Sequence, residues 1–554
     1  MPYVNISFGL VDVTAKPDTT ATAADKQPFI DLEDLSREGI AAPKVATLEQ
    51  NFWALDGSFE GFPNNPAGMP WGYWSQSMSD AAGNFAVPPV LTLTLTGNHS
   101  HVALTFEFDP HGNNYCDHVH VAWYHNTSLI HAGNYHPDSW KYVLSQQIEN
   151  YNKIVITFLH TYRPYRYVKV QNIMHGALQV WRNEDLKSAN ILEEVDPTSA
   201  ELTVNTLDFD VISEDDSFNI LNPEGVYSLL QKKQSLVVEG EVGGVVRNFG
   251  TFYLDTWENR SDKICVMKAV DGIGVMEGTT FTGGIYFDAP AETIIDAIMD
   301  DAGFGYALDN SLRTIPVSGW LPIMSHRAAL QQVAIAIGAV VDCSRSGTIN
   351  IKPQPTLDPV NVITRARKFT GTEVKLKTLV TGVTVVSHSY SLNSTAEQLY
   401  SATLPVGTHE ITFGEPVTGL SASGASILES NVNYARISVA VSGEVIVTGK
   451  KYTDNRVSYT RRMTELPAGE KENLISVQEA TLISPAVAPA VAERIYQYYQ
   501  RRIKQTMRFV LDSEKAGFAS SVETSPGTYR NAVVESLDIN LSGGYVTKAV
   551  IVGE

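Results

Sequence analysis

The sequence predicts a mainly β protein with α/β parts, and three observations support this class. Short segments of alternating apolar and polar residues recur along the chain, separated by Gly, Asn and Asp, which is typical of antiparallel barrels and sandwiches. The 40 Gly and 26 Pro residues favour turns between strands. Three longer segments show helical spacing of apolar residues instead. Together these patterns predict two β-barrels, an α/β module and an inserted β-sandwich.

The first barrel is predicted to begin at about residue 200, where Leu202, Leu207 and Phe209 follow the spacing of a kinked strand with one buried face. Residues 2–13 alternate in the same way, and a polar segment rich in Thr and Ala follows them. A single strand before a linker does not make a domain. We therefore predict that this strand completes the barrel and that residues 41–190 are an insertion.

The insertion is predicted to be an all-β sandwich, because short alternating segments follow a start rich in Trp, Gly and Asn. Its last segment, YRYVKV at residues 165–170, resembles the final strand of discoidin-like jelly rolls. That resemblance implies a module that binds glycans or cell surfaces through loops at one end.

Three helices are predicted in the second half of the chain. The first spans residues 291–302, with Pro290 at its start, where a missing N–H has no cost. The second spans residues 325–337 with Ser325 as the N-cap, and the third spans residues 491–504. A strand hairpin after the second helix completes a compact α/β module.

Four segments resemble a known family. They are residues 222–232 (NPEGVYSLLQK), 250–257 (GTFYLDTW), 269–274 (AVDGIG) and 283–301, which opens with GGIY and continues as a helix. Their order is similar to that of the central baseplate or tail-hub proteins of long-tailed bacteriophages and phage-derived tail-like particles. The resemblance extends from about residue 195 to the end. It implies two tube-like barrels in a structural protein and indicates no catalytic activity.

The resemblance also implies the partners of the chain. It would form a homotrimer, with the tail tube or distal tail protein above it and tip, spike or receptor-binding proteins below it. The tape-measure protein would lie in the central channel, which would open for genome ejection. The protein would be made in the host bacterial cytoplasm and end in the virion, at the tail tip or baseplate.

The predicted organisation has seven parts, and the second barrel is predicted because alternating segments return after the α/β module. The parts are the N-terminal strand of the first hub barrel (1–16), a linker (17–40), the inserted sandwich (41–190), the first hub β-barrel (191–285), the α/β module (286–370), the second hub β-barrel (371–465), and a C-terminal helix with strands that close the body (466–554).

The composition narrows the classes of function. A net charge of −20 argues against specific nucleic-acid binding, because phosphate contacts need a basic surface. No apolar segment is long enough to span a membrane. Cys116, Cys265 and Cys343 lie in apolar segments without C-x-x-C spacing, so we expect buried free thiols.

Histidine is concentrated in the predicted sandwich, where 10 of the 13 lie between His99 and His175. His118 and His120 share one face of a strand, and His125 follows closely, so the three could ligate a metal ion. The alternatives are glycan contact or ordinary surface and core histidines. We predict no metal and no cofactor.

Aromatic residues give the candidate glycan contacts. Trp140 and His136 lie in the polar, loop-like segment NYHPDSWKY, and Tyr162 and Tyr165 lie in the similar segment HTYRPYR. Their rings could stack on sugars, although large rings also fill sandwich cores. Trp53 and Trp123 lie in apolar segments of the sequence, and their side chains are expected in the core.

An enzyme is not predicted. Glu107, Asp109 and Asp117 could in principle pair as glycosidase carboxylates. However, the sequence contains no G-x-S-x-G, H-E-x-x-H or Walker-type motif and no context for a Cys nucleophile.

The sequence thus predicts a structural virion protein, the central hub that closes the tail tube and links it to the tip proteins. Its peripheral sandwich would contact host-surface glycans. The alternative is a host-binding adhesin or secreted carbohydrate-binding protein without a hub role. A secreted protein would carry a signal peptide, and the strand-like first residues do not resemble one.

Overall fold

The computed structural model is mainly β with α/β parts, which confirms the predicted fold class. It describes residues 4–36, 43–64, 66, 69–213, 218–219, 221, 230–242 and 244–554. Most of the NPEGVYSLLQK segment therefore lies outside the described residues. Within them, the three cysteines are free and buried, as predicted, and no helix is long and apolar enough to cross a membrane.

The sandwich follows the first strand and is built from two facing sheets. The elements are β1 (Val4–Val11), α1 (Ala15–Asp18), β2 (Thr19–Thr22), β3 (Tyr73–Met78), β4 (Val90–His101), β5 (Leu104–Phe108), β6 (His118–His125), β7 (Ser128–Tyr135), β8 (Lys141–Leu144), β9 (Ile148–His160) and β10 (Tyr167–Met174). One sheet has the order β2-β4-β9-β6-β7 and the other β3-β10-β5-β8. Alternate residues such as Leu93, Phe106 and Trp123 are buried between the sheets. The Trp123 ring is in the core, as predicted, whereas Trp53 is 39% exposed, so its prediction was wrong.

A buried ion cluster attaches the segment before β3 to the sandwich. Lys169 of β10 pairs with Glu49, and its Nζ lies 3.5 Å from Asp109 Oδ2. The same ammonium lies 3.8 Å from the ring centroid of Phe52 and 4.2 Å from that of Trp74. All three charged side chains are almost fully buried. The cluster therefore fixes residues 49–52, which otherwise form no strand, against the core.

The N-terminal strand belongs to the body, not to the sandwich. The next elements are β11 (Gly176–Arg182), β12 (Leu186–Glu194), β13 (Thr206–Ile212), β14 (Ser235–Val242), β15 (Val245–Ser261), β16 (Ile264–Val270) and α2 (Gly272–Glu277). They form one half of the largest sheet in the order β11-β1-β14-β15-β16-β13-β12. Since β1 lies between two strands that follow the sandwich, the chain leaves this sheet and returns to it.

The α/β module has the predicted helices. Its elements are β17 (Thr280–Phe281), β18 (Gly284–Pro290), α3 (Ala291–Ala302), β19 (Tyr306–Leu308), β20 (Pro316–Leu321), β21 (Met324–Ser325), α4 (His326–Ile337), β22 (Ala339–Asp342) and β23 (Ile349–Pro353). Gly303 ends α3 with a φ of 73°, and the Ser325 hydroxyl caps α4 by accepting from Ala328 N at 3.2 Å. The apolar faces of α3 and α4 share one core.

The remaining strands divide among three sheets. They are β24 (Asn361–Ile363), β25 (Glu373–Leu376), β26 (Gly382–Leu392), β27 (Glu397–Leu404), β28 (Gly407–Thr412), β29 (Val417–Ser423), β30 (Ser426–Ser430), β31 (Tyr434–Val439), β32 (Gly443–Arg462), β33 (Leu474–Val477), α5 (Ala488–Tyr499), β34 (Ile503–Val510), β35 (Ala519–Glu523), β36 (Tyr529–Asn540) and β37 (Val546–Gly553). Short 3₁₀ turns lie at Leu32–Ser36, His111–Asn113 and Arg365–Arg367.

The largest sheet continues as β12-β36-β37-β34-β25, so its second half is made mainly by C-terminal strands. Of the strands in the predicted second barrel (371–465), β25 alone joins it. The others form a five-stranded sheet with β33 and a three-stranded sheet. The 20-residue β32 pairs with β26 at one end and with β27 and β29 at the other, which builds a lobe with its own small core. Helix α5 ends before the predicted residue 504, because Ile503 already pairs with β37.

Both chain connections between body and sandwich pass one polar cluster, here called the joint (Asp12, Asp18, His99, Tyr151 and His175). His99 lies between two carboxylates, with Nδ1 2.8 Å from Asp12 Oδ2 and Nε2 2.9 Å from Asp18 Oδ2. The Tyr151 hydroxyl is 2.6 Å from His175 Nδ1, and Asp12 N donates to the His175 carbonyl at 2.9 Å. The joint therefore holds the outgoing and returning chain segments together.

Candidate functional site

Four loops meet at one end of the sandwich, here called the loop end (79–89, 109–117, 136–140 and 161–166). Strands β3, β5, β7 and β9 end there, and β4, β6, β8 and β10 begin there. The opposite end carries the joint and also Val102, which packs against the core of the largest sheet. The loop end is therefore the end of the sandwich farthest from the body.

Two tyrosines form an aromatic platform at the loop end. The Tyr162 ring stacks on Tyr115 with centroids 4.7 Å apart, and Tyr162 N donates to the Tyr115 carbonyl at 3.0 Å. Tyr115 is buried, whereas Tyr162 is 45% exposed. The guanidinium of Arg163 lies 5.0 Å from the centroid of the Tyr162 ring. In the described part of the chain, Arg163 forms no ion pair, so its donors are available to a ligand.

Acidic groups surround this platform. Burial raises the pKa of Tyr115, and Tyr162, Asp117 and Asp138 raise it further, which indicates that both carboxyls lie near the ring. Asp117 Oδ1 is 2.5 Å from His160 Nδ1. Burial lowers the pKa of His160, but its hydrogen bonds to Asp117 and the Ala82 carbonyl outweigh burial, and the net direction is upward. Asp138 is exposed and accepts from the Ser139 hydroxyl at 3.3 Å through Oδ1, so its other oxygen can accept from a ligand hydroxyl.

The turn at residues 80–84 supports the platform from one side. Asp80 Oδ1 accepts from Ala82 N at 2.8 Å and from Asn84 N at 2.9 Å, which closes the turn. Gly83 has a φ of 86°, and a Cβ there would lie 2.6 Å from His160 Nε2. A side chain at this position would therefore displace the His160 ring that Asp117 holds.

The predicted contacts lie on these loops but do not touch one another. Trp140, Tyr162 and Tyr165 are 40%, 45% and 39% exposed, and His136 is also exposed. No ring contact joins these four side chains within the described residues. His136 stacks instead on His118, with centroids 4.5 Å apart. Sequence reasoning missed Tyr115, Arg163 and Asp138, although Arg163 adjoins a predicted contact.

The candidate metal ligands are separated. His120 Nδ1 is 2.9 Å from Asn134 Oδ1, and His125 Nδ1 is 3.0 Å from the Asn150 carbonyl. His118 and His125 lie at opposite ends of β6, about 23 Å apart at the rise of a strand. Across the described ranges, no group of three or more His, Cys, Asp or Glu side chains is arranged to hold a metal ion. The proposed histidine ligands therefore cannot share one ion in this structure.

The candidate glycosidase carboxylates are engaged in structural contacts. Glu107 pairs with Lys141 at 2.6 Å, Asp109 belongs to the buried Lys169 cluster, and Asp117 holds His160. Each of the three candidate carboxylates therefore already has a structural partner in the fold.

Several solved protein structures are similar in fold to parts of this chain. Solved structures similar to this chain include the 43 kDa tail protein of prophage MuSo2 from Shewanella oneidensis, at 9% identity and a TM-score of 0.38, covering 68% of this chain and 95% of that one. A tail protein from Neisseria meningitidis matches at 9% identity and a TM-score of 0.41, covering 68% and 94%. The family 32 CBM of C. perfringens NanJ, in complex with galactose, matches at 11% identity and a TM-score of 0.20, covering 30% and 97%. They include phage tail proteins, the class that the sequence resembles. No family model and no curated protein matches the chain.

Proposed function

We propose that the chain is the central hub of a phage tail tip or baseplate. The observation that carries this proposal is the thirteen-stranded sheet, which joins the N-terminal strand, residues 176–270 and the C-terminal strands. One continuous sheet makes both halves of the body a single rigid unit, which suits a subunit of a load-bearing ring. The sequence resemblance to hub proteins supports the same role.

In this role three copies form a ring around a central channel. The tail tube or distal tail protein lies above the ring, tip or receptor-binding proteins lie below it, and the tape-measure protein occupies the channel before ejection. The net charge of −20 favours passage of DNA, because an acidic wall repels phosphates. The role is structural and requires no catalytic step.

We further propose that the loop end contacts host-surface glycans. An exposed aromatic ring next to a guanidinium and an exposed carboxylate matches a sugar, which has an apolar ring face and many hydroxyls. Tyr162, Arg163 and Asp138 supply these three groups. Because the loop end lies farthest from the body, it remains accessible when the body is assembled in a ring.

The Tyr162→Ala variant of the full-length protein is expected to bind its glycan about fivefold more weakly, since a ring contact contributes about 1 kcal/mol. A glycan array identifies the ligand, and titration of that ligand measures the change. Tyr459→Ala is the matched control, because Tyr459 is 38% exposed but lies on β32, outside the sandwich. Unchanged binding by Tyr162→Ala, or no binding of any glycan by the parent protein, would contradict this proposal.

A second candidate function is favoured by the same accessible loop end. The chain would then be an adhesin or secreted carbohydrate-binding protein without a hub role. The two functions differ in assembly, because the adhesin needs no three-fold ring.

A further inference from the structure

The last strand of the largest sheet is exposed on both of its faces. β25 pairs on one side with β34, and all four of its residues are exposed. Val374 is 62% and Leu376 is 68% exposed. Among the described residues, no strand pairs with the other edge of β25. Such an edge offers unpaired main-chain N–H and C=O groups to another strand.

The outer face around this edge is basic. Lys375 of β25 lies directly opposite Lys504 of β34, and Arg508 of β34 lies directly opposite Lys548 of β37. Directly opposite like charges destabilise a sheet. Glu373 on the same face of β25 offsets part of this repulsion, since its Oε1 lies 2.7 Å from Lys375 Nζ, and the remaining cations still outnumber it. They also stand out on a chain with a net charge of −20. A face of this kind fits an anionic partner that relieves the repulsion.

The inner side of β25 opens into a groove of about 690 Å³. Val374 and Phe369 contribute apolar surface, Arg365, Lys368 and Arg530 contribute three cations, and Glu523 contributes one carboxylate, so the cations are in excess. The cations hydrogen-bond main-chain carbonyls, at 3.2 Å for Arg365 to Ser525 and for Lys368 to Glu523, and at 3.3 Å for Arg530 to Glu554. A strand added to β25 would thus meet cations on both of its faces.

We propose that β25 is a docking edge for an extended acidic segment of another protein. The segment adds as a strand, its main chain pairs with the free edge, and its carboxylates meet the cations on the two faces. The free strand edge favours a polypeptide over a nucleic acid, because only a polypeptide can pair with its main-chain groups as an added strand. This inference goes beyond the hub role and does not depend on it.

The sheet edges of this chain argue against a second copy as the occupant. Each edge strand in the described residues carries at most one carboxylate, and several, such as β2, β7 and β33, carry none. No described edge strand is therefore acidic enough to match the cations around β25. The described edge strands therefore favour a different protein as the source of the segment.

The test uses the full-length protein and a fluorescent peptide of alternating Glu and Val residues. We expect the peptide to bind and to slow hydrogen exchange at the amides of residues 373–376. The Lys375→Glu/Arg508→Glu variant is expected to bind about tenfold more weakly, because two attractive contacts become repulsive. Lys471→Glu, an exposed lysine elsewhere, is the control for a charge reversal.

Three results would overturn the inference. Equal binding of an alternating Lys and Val peptide would show that charge does not select the partner. Displacement of the acidic peptide by a short DNA duplex at lower concentration would assign the surface to nucleic acid. An oligomer of the parent protein that dissociates in Lys375→Glu/Arg508→Glu would assign the edge to a second copy of this chain. Thermal unfolding of each variant shows whether the fold is retained.

Discussion

Replacing Lys169 by Met is expected to lower the free energy of unfolding of the sandwich by about 3–5 kcal/mol. The ammonium of Lys169 compensates the carboxylates of Glu49 and Asp109, all almost fully buried. Met fills a similar volume but leaves the two buried carboxyl groups without a counter-charge, with only hydrogen bonds such as that from Tyr167 N to Glu49 Oε1. Contacts of the ammonium with the rings of Phe52 and Trp74 are lost as well.

Tryptophan fluorescence during urea unfolding measures this effect, because Trp71, Trp74 and Trp123 are buried in the sandwich. The control is Lys44→Met, since Lys44 is exposed in the same segment and is expected to change stability by less than about 1 kcal/mol. An equally small change in Lys169→Met would show that the ion cluster does not hold the segment.

Acidification from pH 7 to pH 4 is expected to destabilise the sandwich at the joint. Burial lowers the pKa of His175 to about 4 and that of His101, which adjoins the joint, to about 3, from 6.5. A lowered pKa means that the neutral form stabilises the fold above pH 6.5, and that this contribution is lost as pH falls through the folded pKa. By pH 4 the loss amounts to about 3 kcal/mol for each of these two histidines, because each unit of pH below 6.5 corresponds to about 1.4 kcal/mol.

Protonation of His99 stabilises the folded protein and therefore offsets part of this loss of stability. Burial lowers its pKa, but its hydrogen bonds to Asp18 and Asp12 outweigh burial, so the net direction is upward. Its contribution is present in acid and is lost as pH rises. Asp12 and Lys16 also act on His175, the carboxylate raising and the ammonium lowering its pKa.

The melting temperature of the full-length protein between pH 7 and pH 4 tests this prediction. In His101→Gln the side-chain oxygen still accepts from Trp123 Nε1, as His101 Nε2 does at 2.9 Å, but it cannot titrate. The fall in melting temperature should therefore be shallower in this variant. His409→Gln, in the lobe, should follow the parent protein. A pH profile of His101→Gln identical to that of the parent would contradict the prediction.

Helix caps and helix-ending glycines can be recognised in the sequence, and the helices that they bound were predicted correctly. The stop at Gly303 and the cap at Ser325 place α3 and α4 within a residue of their predicted bounds. The arrangement of the later sheets was not predictable in this way, because β25 pairs with β34 more than a hundred residues later. Alternation shows that a strand has a buried face but does not identify its neighbours.

The same distinction applies to the candidate site. The polar residues around Trp140 and Tyr162 in the sequence predicted that both rings are exposed, and both are. The platform itself was missed, since Tyr115 and Tyr162 come from loops joined by a main-chain hydrogen bond that leaves no pattern in the sequence. The abundance of histidine was noted but not explained. At the joint, His99 contacts the carboxylates of Asp12 and Asp18, which precede the sandwich strands β3 to β10 in the sequence.

The mass and symmetry of the purified full-length protein test the hub proposal most directly. Light scattering gives the mass, and class averages of negatively stained particles give the symmetry. The proposal predicts a mass of three chains and a three-fold ring with a central hole. A monodisperse monomer would contradict it and would favour the adhesin.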